Sequence, residues 1–322
     1  MTNAPTVSVL IPCHNASAFI EQAVASALEQ THRPLEVIVI DDGSTDDSAS
    51  KLEAFADRIR FIRQPNAGSN ITRNRLLQLA SGEWIQYLDA DDYLEPHKLA
   101  EQLAHRAAPS ADVLLSYVRL RLDGAGATRW LDERRGEPGD AWALMLGWHM
   151  PQLGGALWRR RSLLDAGAWR EEQPCCQDSE LYLRCLEAGQ TFVHTRTDGA
   201  VYREWSEQTL SRANRELNWQ MRLALTDAAE QFLQERQLMG RARQHAADQS
   251  RFELARIIWL TRPDWAGQVV AAVRAANPRF SPAPGRTPWL YRMLFKVFGF
   301  GLAERVARLR RRLRHSRALV SD

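Results

Sequence analysis

Leu35-Glu-Val-Ile-Val-Ile-Asp-Asp-Gly-Ser44 decides the fold. A short run of β-branched apolar residues reads as a buried strand, and it ends abruptly in acids, glycine and serine, which favour a turn. Upstream, Val7-Ser-Val-Leu-Ile-Pro12 has the same character, and a helix from Ser17 to Gln30, capped by Ser17 and broken by Pro34, separates the two. Downstream the spacing predicts a helix over 46–55, a strand over 60–63, a helix over 71–80 and a strand over 83–88. Strand and helix alternate throughout. That pattern predicts an α/β fold with a mostly parallel sheet and helices on both faces, whose ligands bind beyond the carboxyl ends of the strands.

The remaining chain is less regular. An extended stretch, Val113–Leu122, leads to a turn at Gly124 and Gly126, and a strand-like segment follows at 155–158. A helix is expected over 177–188. From Glu216 to Ala276 the composition is helical, with Pro263 as the clearest break; Ser281-Pro-Ala-Pro-Gly285 reads as a linker. The expected domains are 1–215, a helical region 216–280, and a linker with a basic amphipathic tail over 281–322.

With 322 residues, 45% of them apolar and 25% charged, the chain has ordinary globular composition. None of its four cysteines has zinc-site spacing, no signal peptide is evident, and no run of eighteen apolar residues occurs, so a cytoplasmic protein is expected. There is no Walker loop, GxGxxG fingerprint or Ser-His-Asp order, which argues against P-loop enzymes, dehydrogenases and hydrolases.

Three acidic clusters carry the chemistry. Asp41-Asp42 closes the second strand, where a carboxylate can bind a base or ribose, or form an Asx turn. Asp89-Ala90-Asp91-Asp92 follows the apolar strand directly; three carboxylates in four residues repel one another, and a divalent cation would relieve them. Gln177-Asp178-Ser179-Glu180 opens a helix, where the dipole favours acids. Asp178 is a base candidate if the fold brings it to the second cluster.

Val7 to Asn15, Ile40 to Ser48, Arg73-Asn74, Ala80 to Ile85 and Leu88 to Asp92 together resemble the family 2 glycosyltransferases of the GT-A fold, in order and spacing over Val7–Ser211. The resemblance implies an inverting enzyme that moves a sugar from a nucleotide-diphosphate donor, with UDP as the family-weighted guess, to a carbohydrate or lipid-linked acceptor in surface polysaccharide or glycolipid synthesis. It further implies that Pro12, His14, Asp42, Arg73, Asp89 and Ala90 bind the nucleotide, with His14 where the family usually has tyrosine. By the same resemblance, Asp91 with Asp89 would hold Mg²⁺ or Mn²⁺, and Asp178 would be the base. Gln177 stands in place of the first acid of a Glu-Asp pair. Trp205 stands where many relatives carry histidine, and so would weaken metal binding or stack on the sugar; Gly155 is a second possible sugar contact. The rival readings are a nucleotidyltransferase of similar fold and a catalytically silent nucleotide-sugar-binding protein.

Trp130, Trp142, Trp148, Trp158 and Trp169 fall in the acceptor half, where indoles either stack on sugars or fill the core. In the tail, Leu302, Val306, Leu309 and Leu313 form an apolar stripe among Arg305, Arg308, Arg310, Arg311, Arg312, Arg314 and Arg317, behind the aromatic segment Trp289–Phe300. The pattern over Trp289–Arg317 suits an anionic membrane surface on the inner face, without nucleic acid as a partner. A helix packed on its neighbours would read the same way.

Overall fold

The computed structural model describes residues 4–124, 127–135, 138–205 and 214–318. Gly126, the Ser211 end of the resemblance and the side chains of Arg311, Arg312, Leu313, Arg314 and Arg317 lie outside the described residues. The chain divides into two compact units, Met1–Met145 with His149–Met221, and Leu146–Trp148 with Arg222–Asp322.

The first unit is built on β1 (Val7–Cys13), β2 (Glu36–Asp42), β3 (Arg60–Gln64) and β4 (Trp84–Tyr87), all paired in parallel through β1 and β2. Both faces of the central strands are covered, so they are continuous apolar runs rather than alternating ones. Helix α1 (Ile20–Leu28) turns Ile20, Ala23, Val24 and Ala27 inward, one helical face at i, i+3, i+4 and i+7. Helices α2 (Ser48–Glu53) and α3 (Ser69–Leu79) complete the alternation. Ser17 does not cap α1. Its amide donates instead to Asp46 Oδ2 at 3.0 Å, and the helix starts three residues later.

Beyond β4 the chain builds what strand periodicity cannot predict. A two-residue strand β5 (Tyr93–Leu94), helix α4 (Lys98–Leu103), β6 (Val113–Leu115), β7 (Val118–Gly124) and β8 (Ala127–Arg135) follow in order. The stretch Val113–Leu122 is therefore two strands in two sheets. At the crossing, Ser116 N–H donates to Gly155 C=O at 2.8 Å and Tyr117 N–H to Thr197 C=O at 2.9 Å. Next come α5 (Ala141–Leu146), β9 (Ala156–Arg159), α6 (Arg160–Asp165), α7 (Gln177–Glu187), β10 (Phe192–His194) and β11 (Ala200–Glu204). The large sheet has the order β10-β6-β9-β4-β1-β2-β3, with β9 antiparallel to both neighbours, and the small one β5-β11-β7-β8. The expected mostly parallel α/β sheet is present, extended by a second, four-stranded sheet.

The second unit is helical: α8 (Arg215–Glu235), which enters it at Arg222, α9 (Arg241–Ile258), α10 (Pro263–Ala276) and α11 (Trp289–Ala318). Pro263 sits in the first turn of α10, where its missing N–H costs nothing. Phe252 is the hub of the core, with the rings of Phe280, Phe295, Tyr291 and Phe300 between 5.4 and 6.1 Å away. Glu304 is fully buried and accepts from Arg256 Nε at 2.6 Å and Tyr291 OH at 2.7 Å. Helix α11 is kinked at Gly299 (φ 81°, ψ −179°), a conformation a side chain would resist. Among the described residues, no helix is long and apolar enough to cross a membrane.

Candidate active site

The carboxyl ends of β1, β2 and β4 converge on one polar region of the first unit. At the β2 end, Asp42 is buried and saturated. Its Oδ1 accepts from Gln64 Nε2 at 2.7 Å and the Ala67 amide at 2.9 Å; Oδ2 accepts from the Gly68 amide at 2.9 Å. Burial alone would raise this carboxyl, but the bonds from Gln64 and from the Ala67 and Gly68 amides outweigh it and hold it below the usual aspartate range. Asp41 is also buried, paired with Arg63 at 3.2 Å. His14, exposed at the end of β1, meets the Asp42 carbonyl through Nδ1 at 2.9 Å, while Asn15 Nδ2 lies 3.2 Å from Nε2. The Asn66 amide nitrogen also lies 3.2 Å from Nδ1 and 3.4 Å from Nε2, so the ring is held among two side-chain amides and a carbonyl. Pro12, paired with Ile40, lies one strand over on the same end of the sheet.

At the β4 end the three acids diverge. Asp92 is buried and accepts the Arg203 backbone N–H at 2.8 Å. Asp89 accepts from Arg73 Nη2 at 2.8 Å. Asp91 accepts from the Trp205 indole N–H at 2.9 Å, and the Trp205 ring leans on Phe19 with centroids 4.9 Å apart. Burial, and then the neighbouring Asp89 charge, push the Asp91 carboxyl up; burial, Asp91 and Asp89 push Asp92 up further. Ala90 between them is buried. Crowded carboxylate oxygens are hard donors and fit a divalent cation. Among the described residues no three His, Cys, Asp or Glu side chains group as a metal cluster, so a cation on Asp91 and Asp89 would take its other ligands from a phosphate-bearing substrate and water.

Arg73 connects this turn to α7. The buried guanidinium donates through Nη2 to Asp89, and through Nη1 to Gln177 Oε1 at 2.9 Å; Ser69 Oγ donates to the same oxygen at 3.3 Å. It lies 4.8 Å from the Trp169 ring centre, and Trp169 packs edge-on against the buried Tyr87. Arg73 Nε, although buried, has no hydrogen-bond partner among the described residues. Asp178, next to Gln177, is half-buried in the first turn of α7, and its Oδ1 accepts its neighbour Ser179's amide at 2.9 Å. Burial raises the Asp178 carboxyl; Arg73 opposes the rise and Asp89 adds to it. Cys176, immediately before α7, has left-handed backbone (φ 55°), which aims the start of the helix into this region.

Thus Asp89, Asp91, Arg73, Gln177 and Asp178 share one electrostatic neighbourhood, and Pro12, His14 and Asp42 line the adjoining strand ends. Gly155 is buried, and a Cβ there would lie 2.5 Å from Val118 Cγ2 and 2.8 Å from Pro151 Cβ, so packing already accounts for the glycine. Trp158 and Trp142 are buried core, and Trp169 supports Arg73; Trp130 remains exposed, with Arg119 4.3 Å from its ring centre. Sequence reading missed the Arg73–Gln177 bond, because Gln177 departs from an acidic pattern and its partner is 104 residues away. It also missed the Trp205–Asp91 bond; the available signal was an indole N–H where the resemblance leads one to expect a histidine.

Comparison with known proteins agrees with this architecture. Chondroitin synthase of Escherichia coli is 46% identical over 99 residues, covering 30% of this chain and 14% of that protein. The putative teichuronic acid biosynthesis glycosyltransferase TuaG of Bacillus subtilis is 40% identical over 108 residues, covering 32% and 43%. The chain therefore spans less than half the length of these relatives. Among solved structures, S. aureus TarS 1–349 in complex with UDP superposes with a TM-score of 0.60 at 18% identity, over 94% of this chain and 91% of that one. The complex of TarS 1–349 with UDP-GlcNAc gives 0.55 at 18% identity, over 84% and 87%. These likenesses show a shared fold. The sequence profile described as glycosyl transferase family 2 matches residues 8–166. Through that segment, the chain belongs to glycosyl transferase family 2.

Proposed function

We propose that the protein is an inverting glycosyltransferase that moves a sugar from a nucleoside diphosphate, most simply UDP, to an acceptor hydroxyl in surface polysaccharide or glycolipid synthesis. The observation that carries the reading is Arg73, which ties Asp89 of the acidic turn to Gln177, the neighbour of Asp178. TarS, of like fold, is seen with UDP and with UDP-GlcNAc, and relatives of the matched segment bear names of polysaccharide synthesis.

The nucleoside rests at the strand ends among Pro12, His14 and Asp42. Arg73 donates to the leaving diphosphate, whose negative charge grows as the bond to the anomeric carbon breaks. A divalent cation held by Asp91 and Asp89 would, when bound, neutralise the same charge. Asp178 accepts the acceptor hydroxyl's proton, and its raised proton affinity suits that task better than an ordinary aspartate would. One displacement inverts the anomeric centre. Gln177, which holds Arg73 without adding a second negative charge, leaves Asp178 the sole acid of its pair.

The test incubates the protein with UDP-sugars, Mn²⁺ and candidate oligosaccharide acceptors, and follows released nucleotide and product stereochemistry. Release of UDP with inversion is expected for wild type, and Asp178→Asn should still bind donor yet lose transfer. Pyrophosphate release would identify a nucleotidyltransferase. Donor binding without turnover in wild type would identify a silent binder.

A further inference from the structure

Helix α11 presents an outward face that its own unit does not use. Before the Gly299 kink, Tyr291 and Phe295 turn into the core while Trp289, Met293 and Val297, spaced i, i+4 and i+8, turn outward at 70%, 44% and 63% exposure. After the kink, Phe300, Ala303 and Glu304 are buried, and Leu302 and Leu309 face out, with Val306 half-buried between them. Each segment thus has two apolar faces, one inside and one outside. A surface helix of a soluble domain needs only the first.

The charges flanking the outer face have one sign. Lys296, Arg305, Arg308 and Arg310 are exposed. The only acid between Trp289 and Ala318 is Glu304, and it is fully buried against Arg256 and Tyr291. The sequence continues with Arg311, Arg312, Arg314 and Arg317. An exposed row of tryptophan and aliphatic side chains bordered by arginine and lysine, with the sole carboxylate withdrawn, is complementary to a plane that is apolar beneath and anionic on top.

We propose that the outer face of α11 docks on an anionic lipid surface, with Trp289, Met293, Val297 and Phe298 entering the headgroup layer and Lys296, Arg305, Arg308 and Arg310 pairing with lipid phosphates. The kink at Gly299 resets the helical phase, so that both segments keep their apolar rows outward while Phe295 and Phe300 stay in one core.

The full chain is sedimented with vesicles of phosphatidylcholine alone and with vesicles containing phosphatidylglycerol, beside the triple variant Trp289→Glu, Val297→Glu, Phe298→Glu and the double variant Arg305→Gln, Arg308→Gln. Binding to phosphatidylglycerol vesicles, weak on phosphatidylcholine, is expected for wild type. One basic residue near an anionic leaflet is worth about fivefold in partitioning, so the double variant loses roughly 25-fold, and the triple variant loses binding altogether. All altered side chains are exposed, and unchanged circular dichroism and melting keep a loss of binding separate from unfolding. Retained binding by the triple variant overturns the proposal, as does equal binding to both vesicles. A concentration-dependent dimer abolished by the same substitutions, without vesicle binding, would also overturn it, assigning the face to a second copy. Displacement of wild type onto duplex DNA with no vesicle binding would assign the basic residues to nucleic acid.

Discussion

The corner around Asp42 and the corner around Asp178 hold the same residue type in opposite surroundings. Asp42 is surrounded by donors, and its carboxylate is held ionised by Gln64 and two backbone amides. Asp178 accepts one amide, and burial pushes its carboxyl up, with Arg73 opposing the rise and Asp89 adding to it. A carboxylate saturated by the protein has little capacity left for chemistry and much value for architecture. One left under-solvated has the reverse. The first corner has the marks of architecture, and the second those expected of the proposed base.

The sharpest way to break this contrast is Asp178→Asn. Removing a positioned base costs about 10²–10⁴-fold in rate, so transfer should fall about a thousandfold while donor affinity by calorimetry stays unchanged. A fall of less than tenfold would place the base elsewhere.

Stability should show the opposite ranking. Asp42 has a lowered folded-state pKa, so its contribution is present above the ordinary aspartate value and fades as pH falls through the folded value. Asp42→Asn faces two backbone N–H groups with an amide and should cost about 2 kcal/mol at pH 7, with the gap to wild type narrowing toward pH 3. Asp178 has a raised folded-state pKa, so its contribution is present below the ordinary value and lost as pH rises through the folded value. Asp178→Asn should therefore melt at or above wild type at pH 7. Thermal melts of both variants from pH 3 to 8 check the pair.

A subtler effect is expected in the pH–rate profile. Under the proposed function transfer needs Asp178 ionised, so kcat/KM should fall on the acid side through a midpoint above the ordinary aspartate range. Arg73→Gln removes the charge that opposes the rise and should move that midpoint higher still. An unmoved midpoint would show that another group controls the limb. The smallest effect belongs to Trp205→Phe, which keeps a ring against Phe19 and deletes the N–H on Asp91. One hydrogen bond to a charged group is worth about 1.5–3 kcal/mol at most; with water replacing it at this exposed position, Mn²⁺ half-saturation should shift only a few-fold, to lower concentration.

The part of the chain that ends in Asp92 was legible because strands buried on both faces leave an apolar signature that needs no partner to be recognised. The small sheet was not. Val118 to Leu122 reads as the continuation of Val113 to Leu115, and only hydrogen bonds to Gly155 and Thr197, both distant in sequence, turn the chain into the second sheet. The reversed direction of β9 was invisible for the same reason, since apolar periodicity carries no sense of direction. Ser17 has the chemistry of a cap, yet Asp46 from another loop competes for its amide. In the site, each acidic cluster could be read from its own neighbours. The links between clusters, Arg73 to Gln177 and Trp205 to Asp91, span about a hundred residues and could be found only in three dimensions.

Arg73 makes the acidic turn after β4 and the start of α7 listen to each other. A diphosphate that recruits its guanidinium competes with Gln177 and Asp89 for the same N–H groups, so arrival of the donor loosens the tether at the start of α7 and alters the charge that Asp178 feels. Under the proposed function, a guanidinium turned toward the diphosphate would oppose the rise of Asp178 less, so a bound donor would raise the proton affinity of the base that the acceptor meets.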